Sequence, residues 1–434
     1  MKILQTTLNN YFKEINYKSS NDTAQLIIDE NTKYQKIIGF GGAFTDAACS
    51  IYNMLNDNQK KEVLEAYFSQ NGLNYNLGRL TIGSCDFSRT NYDYSYKEDL
   101  SDFSIEHDKK EIFNFVKDAQ KLSNIIFMAS PWSPPKMFKD TLEKCHGGKL
   151  NWNFADNYAE YYCKYIQECK KENINISYLS IQNEPAAIQS WESCIYTPQE
   201  EAKFAKILHS HLKDNSLDNV KLLLWDHNRD IIKERVDGYY EIEGIDNIIE
   251  GFAYHWYDNY CSSNLSIIHK EHPNKLLLFS EGCIELLNLN KDNPSEAIGS
   301  IANALRYGKN YILDCLNYSN GFIDWNLLLD EKGGPNHVCN YCEALIMYDT
   351  INKNLIYNPS YYVVKHFAHF IGKDSIRINS NVVNDVLNVA FINKNNQIVV
   401  IILNEENEKE ITINIRGNNY KVILPRHSIT TLVE

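Results

Sequence analysis

The feature that most constrains this chain is an eightfold alternation of short apolar runs with longer stretches of helical apolar spacing. Segments between the runs, such as 59–69, 111–122, 157–172 and 200–213, repeat apolar residues with the period of an α-helix. Near-continuous apolar strands separated by helices indicate a parallel sheet that is covered on both faces, and eight units predict an α/β fold, a closed (β/α)₈ TIM barrel. The apolar runs are residues 37–43, 76–82, 125–129, 177–181, 221–225, 251–254, 275–279 and 321–323.

The pattern of hydrophobicity along the chain changes after about residue 372. Short runs of alternating hydrophobicity follow one another there, and Asn-rich dipeptides that favour turns, Asn395-Asn396 and Asn418-Asn419, lie between some of them. We therefore predict an accessory antiparallel β-sandwich domain from residues 372–434 together with residues 1–33, and a catalytic barrel from residues 34–371. The strand-like run at 24–29 is expected to join the accessory sheet. The C-terminal runs are residues 375–378, 386–392, 398–403, 411–415 and 420–424.

Composition excludes several classes of protein. The chain has 43 basic and 56 acidic residues and a net charge of −13, which argues against binding to nucleic acid or to an anionic membrane. No apolar stretch is long enough to span a bilayer, and the N-terminus lacks the apolar core of a signal peptide, so a cytoplasmic location is expected. The 11 cysteines form no framework, which favours reduced thiols. Cys339-x-x-Cys342 has no second pair, so no metal is expected.

Two glutamates directly follow predicted barrel strands. Glu184 comes after the fourth apolar run, between Asn183 and Pro185, and Glu281 comes after the seventh. Active sites on this fold lie at the carboxyl ends of the strands, so these two carboxylates can face each other across the mouth of the barrel. Retaining glycosidases need two carboxyl groups about 5–5.5 Å apart, one as acid/base and one as nucleophile. A lone glutamate here would be read as a structural ion pair, whereas the pair indicates catalysis.

Seven motifs in order, each at a predicted strand end, carry a resemblance to glycoside hydrolase family 30. This family includes lysosomal glucosylceramidase and bacterial β-glucosidases, and the resemblance runs through the whole predicted barrel. The motifs are Gly39-Phe40-Gly41-Gly42-Ala43-Phe44-Thr45-Asp46, Ser84-Cys85-Asp86-Phe87-Ser88, Ala129-Ser130-Pro131-Trp132-Ser133-Pro134-Pro135, Gln182-Asn183-Glu184-Pro185, His255-Trp256-Tyr257, Ser280-Glu281-Gly282-Cys283, and Asp324-Trp325-Asn326 followed by Gly333-Gly334-Pro335-Asn336.

The resemblance implies a role for each matching position. Glu184 would protonate the leaving oxygen and later deprotonate water, so its pKa should be raised, while Glu281 would attack the anomeric carbon as an ionised nucleophile. Arg79 and Tyr257 would hold Glu281 ionised and oriented, and His255 would line the same wall. The glucose-like ring would be held by Asp46, Trp132, Asn183, Trp325 and Asn340.

Several of these residues also have a structural interpretation. Asp46 is placed to cap a helix that starts near Ala47, and Arg79 is placed to form a buried ion pair. Trp325 and His255 are equally compatible with a packed core position. Trp132 lies in a loop between Pro131 and Ser133, where a core tryptophan is less usual.

The loop after Glu184 is expected to set specificity, because loops do so on this fold. Trp191 in that loop is predicted to stack on the leaving group or on a second sugar. The loop departs from the pattern of the lysosomal lipid-hydrolysing member, so small β-glucosides are expected rather than glucosylceramide itself.

The leading hypothesis is a retaining β-glycoside hydrolase that acts by double displacement on β-glucosides, with a carbohydrate or glycoside as its partner and no cofactor. β-1,6-Glucanase, β-xylosidase and β-fucosidase activities use the same carboxylates and stay open, as does the oligomeric state. A non-catalytic carbohydrate-binding barrel is the alternative from another class, and it does not account for the presence of both glutamates. A metal-dependent hydrolase is disfavoured because no His-x-His pair lies at an early strand end.

Overall fold

Eight parallel strands close into a barrel in the computed structural model, which describes residues 1–286 and 298–434. Strands that follow one another in the chain are neighbours in the barrel, and the first pairs with the eighth to close it. The predicted TIM barrel is confirmed. Barrel strands one to eight are Gly39–Ala43, Leu77–Ile82, Ile126–Pro131, Ile176–Ser180, Lys221–Asn228, Ile249–His255, Leu276–Glu281 and Gly321–Asp324.

The barrel strands are apolar along their length because they are buried on both faces. Inward-pointing side chains from six strands form one packed layer inside the barrel, consisting of Leu77, Met128, Leu223, Ala253, Leu278 and Ile323. Barrel strand one uses glycine instead, since a Cβ on Gly41 would lie 2.0 Å from the carbonyl oxygen of Leu77. The lumen is therefore a solid core, and open space is left only at its ends.

Helices cover the outside of the barrel between the strands. The predicted helical segments are present, although 111–122 is observed as Phe113–Gln120 and is separated from a preceding helix, Glu106–Glu111, at Ile112, whose φ of −104° departs from helical geometry. The helix after barrel strand four begins with a capping box between Thr197 and Glu200. The α-helices are Asp46–Met54, Asp57–Phe68, Glu106–Glu111, Phe113–Gln120, Ala155–Lys171, Pro198–Asp214, Ile232–Tyr240, Ser263–Glu271, Ile301–Leu316 and Pro359–Ala368, and the 3₁₀-helices are Lys136–Phe138, Trp152–Phe154, Arg229–Ile231 and Ile245–Asn247.

A separate sheet is built from both ends of the chain, as predicted. Leu26–Lys36 pairs with Ile376–Ser380, and Lys2–Thr6 pairs with the last strand, Ser428–Val433. These two terminal strands were not predicted from the sequence. The described strands of this sheet pair antiparallel except for a parallel contact between Leu26–Lys36 and Lys409–Ile415. Its remaining strands are Lys13–Glu14, Lys18–Ser19, Leu387–Ile392, Ile398–Asn404 and Asn418–Leu424.

Only one of the two predicted Asn-Asn turns is found. Asn395 and Asn396 lie in the turn between two strands, but Asn418 and Asn419 are paired strand residues. The second hairpin turns at Arg416 and Gly417, which have φ values of 49° and 84°. The prediction was wrong there because Gly adopts the left-handed conformation more readily than Asn, so it takes the turn position.

The accessory sheet packs against the barrel through one face of its central strand, Ile398–Asn404. Val399 and Ile401 belong to the large apolar cluster of the barrel and its helices, whereas Val400 and Ile402 lie in the interior of the accessory sheet. Burial on both faces explains why this strand is continuously apolar. The domain limits at 33/34 and 371/372 stay predictions.

Short strands extend the loops at the carboxyl ends of the barrel strands. Ile284–Glu285 pairs with Cys342–Glu343, and the other short strands are Leu328–Asp330, Ile346–Asp349 and Asn354–Tyr357. None of the helices in the described ranges combines the length and apolarity that crossing a bilayer requires.

Candidate active site

A cavity of about 200 Å³ opens at the carboxyl ends of the barrel strands. Glu184 enters it from the end of barrel strand four and Glu281 from the end of barrel strand seven. Its lining residues are Glu184, Gln189, Trp191, His227, Asn228, Tyr257, Glu281, Cys283, Glu285, Trp325, Asn340 and Cys342. The structure therefore brings together most of the residues that the sequence singled out.

The two glutamates lie close together and are almost buried. One oxygen of each carboxylate and a ring nitrogen of His255 all lie within 4.8 Å of one another. The side chain of Glu184 is 14% exposed and that of Glu281 is 8% exposed. Two carboxyl groups at this distance, open to one cavity, can act together on a single bound group.

Arg79 holds one of these carboxylates through a buried ion pair. Its Nη1 donates to Oε2 of Glu281 at 2.8 Å, and its Nη2 donates to Oδ2 of Asp226 at 2.8 Å and to Oδ1 of Asn183 at 2.9 Å. The hydroxyl of Tyr257 donates to the other oxygen of Glu281 at 3.1 Å. Arg79 therefore both contacts Glu281 and forms a buried ion pair, so the functional and the structural interpretations of this residue are compatible.

His255 lies between two carboxylates. Its Nδ1 is 3.2 Å from Oε1 of Glu184, and its Nε2 is 3.1 Å from Oδ1 of Asp226. With both carboxylates ionised, both ring nitrogens donate, as an imidazolium does. Burial lowers its pKa, but the charges and hydrogen bonds of Glu281, Asp226 and Glu184 outweigh burial and raise the pKa to about 9.

The pKa of Glu184 departs from the expected direction. Burial raises it, but the nearby rings of His227, at 3.6 Å from Oε1, and of His255 lower the pKa to about 2. This direction is opposite to the raised pKa that the sequence argument predicted for Glu184. His227 was missed from the sequence.

Burial raises the pKa of Glu281, although the charges of His255 and Arg79 act in the opposite direction. The two glutamates and His255 share their protons within one small volume, and they will titrate as a group. They are also the described side chains that are close enough to bind a cation together.

Aromatic rings form one wall of the site. Trp132 and Trp325 are stacked with centroids 5.1 Å apart and an interplanar angle of 18°, and the Arg79 guanidinium lies over both rings. Trp325 lines the cavity, whereas Trp132 is buried behind it. Trp191 lines the cavity from the loop after Glu184, where the sequence argument placed it.

Asp46 lies outside the cavity. It is the first residue of helix Asp46–Met54, whose N-cap is Thr45. Its Oδ2 accepts hydrogen bonds from Arg89, and its Oδ1 lies 3.0 Å from His107. Arg89 and His107 thus hold Asp46 in place, and its assignment to the sugar ring stays a prediction.

Asp86 is a second buried carboxylate, and it contacts the cavity-lining residue Asn340. It is buried, its Oδ2 accepts a hydrogen bond from Nδ2 of Asn340 at 2.7 Å, and its Oδ1 has no partner within the described residues. Burial, followed by the charge of Glu281, raises its pKa to about 8. The motif Ser84–Ser88 contained this residue, and its position after barrel strand two was the available signal.

Comparison with known sequences identifies two adjoining domains. The glycosyl hydrolase family 30 TIM-barrel domain matches residues 37–371, and the glycosyl hydrolase family 30 beta sandwich domain matches residues 374–432. The lysosomal acid glucosylceramidase of Mus musculus is 30% identical over 403 residues, 88% of this chain and 78% of that protein. The endo-1,6-beta-D-glucanase of Neurospora crassa is 26% identical over 386 residues, 82% of this chain and 75% of that protein.

Solved structures give the same result for the whole chain. SrfJ from Salmonella typhimurium superposes with a TM-score of 0.94 and 30% identity, covering 100% of this chain and 99% of that one. The endo-beta1,6-glucanase BT3312 superposes with a TM-score of 0.87 and 26% identity, covering 100% and 98%. The likeness includes both the barrel and the accessory sheet.

Proposed function

Because the chain belongs to glycosyl hydrolase family 30, we propose that it is a retaining β-glycoside hydrolase that cleaves β-glucosides by double displacement. The observation that carries the proposal is the pair Glu184 and Glu281, with one oxygen of each carboxylate within 4.8 Å of the other across one cavity. This closeness supports a retaining enzyme, whose carboxyl groups lie roughly 5–5.5 Å apart, rather than an inverting one, whose groups lie roughly 6.5–9.5 Å apart.

In the first step Glu281 attacks the anomeric carbon and the glycosidic oxygen leaves with a proton from Glu184. Arg79 and Tyr257 each hold one oxygen of Glu281, which keeps the attacking carboxylate oriented. The proton reaches Glu184 from Nδ1 of His255 across 3.2 Å once the substrate has displaced water from the pocket. Desolvation then favours a neutral Glu184 beside a neutral imidazole.

In the second step the roles of Glu184 reverse. Its carboxylate takes a proton from a water molecule, and the resulting hydroxide attacks the anomeric carbon and releases Glu281. The proton then returns to His255, whose other nitrogen stays bonded to Asp226. The sugar leaves with its original configuration, and all three titratable groups return to their starting states.

The bound sugar is held by polar groups on one side and by tryptophan on the other. The unpartnered oxygen of Asp86 accepts a hydrogen bond from a sugar hydroxyl, while Asn340 and Asn183 supply amides. Trp325, supported by Trp132, presents a flat apolar face to the ring. Trp191 contacts the leaving group.

β-1,6-Linked glucan is a second candidate substrate. The two relatives named as endo-1,6-glucanases match most of this chain and share its two-domain architecture. The same carboxylates would cleave both substrates, so the loop around Trp191 decides between them. β-Xylosidase and β-fucosidase activities rest on the sequence argument alone.

A panel of substrates tests the proposal. Aryl β-glucoside, β-xyloside, β-fucoside and a β-1,6-glucan are assayed with wild type, Glu184→Gln and Glu281→Gln, and the aryl glucoside should be cleaved fastest. Glu184→Gln should keep kcat/KM on a dinitrophenyl glucoside, whose leaving group needs no proton, and lose it on an alkyl glucoside. Its kcat should fall on both substrates, because the second step loses its base. Normal turnover by Glu281→Gln would contradict the assignment.

Two controls accompany the panel. Glu201→Gln makes the same change at a buried glutamate that binds Arg235 outside the cavity, and its turnover should stay near wild type. A 2-fluoroglucoside should leave a covalent adduct on Glu281, detected by peptide mass spectrometry. An adduct on another residue would remove Glu281 from its role, and absence of turnover on all substrates would favour a non-catalytic carbohydrate-binding barrel.

A further inference from the structure

Two buried thiols meet in the wall of the catalytic cavity. Sγ of Cys283 lies 2.9 Å from Sγ of Cys342, and both residues line the cavity although they are only 1% and 2% exposed. The proposed reaction uses neither thiol. Both are free, and they come from chain segments 59 residues apart.

A short β-ladder sets this contact. Ile284 pairs with Glu343 and Glu285 pairs with Cys342 in antiparallel register. Cys283 directly precedes this ladder, so it occupies the diagonal position on the same face as Cys342. The backbone therefore holds the two sulfur atoms together, and bond formation requires little movement of the chain.

We propose that Cys283 and Cys342 form a reversible disulfide that lowers activity when a small hydroperoxide enters the cavity. The thiolate of one cysteine attacks the peroxide oxygen, giving a sulfenic acid and releasing hydroxide, or an alkoxide from an organic peroxide. The second thiol attacks the sulfenic sulfur, forming the disulfide and releasing water. In the sum, two thiols are oxidised, one peroxide is reduced, and a thiol reductant reverses the reaction.

Cys342 is the first of the pair to react. Burial raises the pKa of both thiols, but the S–H of Cys283 donates a hydrogen bond to Cys342, which favours the thiolate there. Burial also makes both thiols slower to react than the exposed Cys339. Oxidation of the pair therefore needs a molecule small enough to enter the cavity.

The disulfide would disturb groups on both sides of the bound sugar, and this part of the inference rests on the proposed function. Cys283 Sγ is 3.4 Å from the hydroxyl of Tyr257, which itself bonds Glu281. Cys342 lies two residues after Asn340, which bonds Asp86. A disulfide brings its sulfur atoms to about 2.0 Å, and a displacement of this size in an active site costs up to about 100-fold in rate. We expect a fall of about tenfold in kcat/KM.

The test treats the reduced protein with hydrogen peroxide and maps its cysteines. Chymotryptic cleavage after Tyr341 separates Cys339 from Cys342, so a Cys283–Cys342 link appears as a joined peptide pair that dithiothreitol splits. Cys339→Ser is the matched control, because it removes an exposed thiol of the same loop and should leave both the link and the loss of activity unchanged. Cys283→Ala and Cys342→Ala should each abolish the response.

The link and the activity are measured separately. Free thiols at both positions after peroxide, or a link of Cys342 to Cys339 or Cys85 instead, would overturn the proposed site. A Cys283–Cys342 link with unchanged kcat/KM would overturn its regulatory effect. If the protein cleaves none of the glycosides, the peptide map still decides whether the disulfide forms, so failure of the proposed function is distinguishable. If an alanine variant fails to fold, the peptide map of the wild-type protein still shows whether the Cys283–Cys342 disulfide forms.

Discussion

The mouth of the barrel and the interior of the accessory sheet are both buried, but they bury different chemistry. At the mouth, Arg79, Asp226, His255 and Glu281 are linked by charged hydrogen bonds. The sheet interior consists of aliphatic side chains such as Val400 and Ile402. Burying charged groups costs free energy unless each group is paired, so the mouth contributes less to stability but fixes the positions of its protons. The aliphatic interior of the sheet contributes to stability alone.

The largest expected effect is on catalysis at the mouth. Glu281→Gln should lower kcat on the aryl glucoside by on the order of 10⁴-fold or more, because the nucleophile is lost. Its melting temperature should change little, since the amide fills the same volume between Arg79 and Tyr257. Activity assays and thermal unfolding on the same preparation check this separation, and a parallel loss of both would contradict it.

Arg79→Met should impair both properties. It leaves Asp226 and Glu281 buried without their cation, so we expect a loss of about 3–5 kcal/mol in unfolding free energy. It should also lower kcat/KM by about 100-fold, because the nucleophile loses its orientation. Arg235→Met removes the cation from the buried Glu201 pair outside the cavity and should affect urea unfolding only. Unchanged kcat/KM in Arg79→Met would show that this arginine stabilises the fold without contributing to catalysis.

Ile402→Ala should lower the stability of the protein without lowering its activity. This fully buried side chain in the accessory sheet leaves a cavity, so urea unfolding should show a loss of about 2–5 kcal/mol. At 25 °C the kcat of the folded fraction should equal that of wild type, because the cavity is lined by residues 184–342. A clear fall in kcat for fully folded protein would show that the sheet acts on the mouth.

A pH dependence of stability should distinguish the two regions as well. The pKa of His255 is raised from 6.5 to about 9, so its stabilising effect is fully present below pH 6.5 and is lost as the pH rises through 9. The difference in melting temperature between wild type and His255→Gln should therefore shrink over this window. The difference between wild type and Ile402→Ala should stay constant, which makes that variant the control. A constant difference for His255→Gln would mean that the ring is not charged.

The smallest expected effect lies at the rim of the mouth. Trp191→Ala should raise KM by about tenfold for glucosides with large leaving groups and change it little for small ones, since only the former reach this ring. Trp152→Ala, which removes a half-buried tryptophan outside the cavity, should have no such effect. Equal changes for both classes of substrate would remove Trp191 from the leaving-group site.

The barrel could be predicted because its strands are buried on both faces and its helices on one, and these two kinds of burial leave different periods in the sequence. The catalytic pair followed from the same argument, since Glu184 and Glu281 come directly after strands. The terminal strand Ser428–Val433 was missed because it is short and its polar and apolar residues do not alternate: Thr430 is followed by Thr431, and Leu432 by Val433. Its partner Lys2–Thr6 lies at the other end of the chain, where no local pattern connects them.

The sequence alone determined the fold and the pair of glutamates, and only the tertiary structure decided which neighbours act with them. Trp225 and Asp226 have φ values of 79° and 54°, and the barrel register shifts beside them, so Asp226 and His227 both face the mouth although adjacent strand residues normally face opposite sides. The contacts of Asp86 with Asn340 and of Cys283 with Cys342 were likewise decided by the tertiary structure. Hydrophobic periodicity is local and survives in the sequence, whereas the position of a proton or a thiol depends on groups that only the closed barrel brings within a few ångströms.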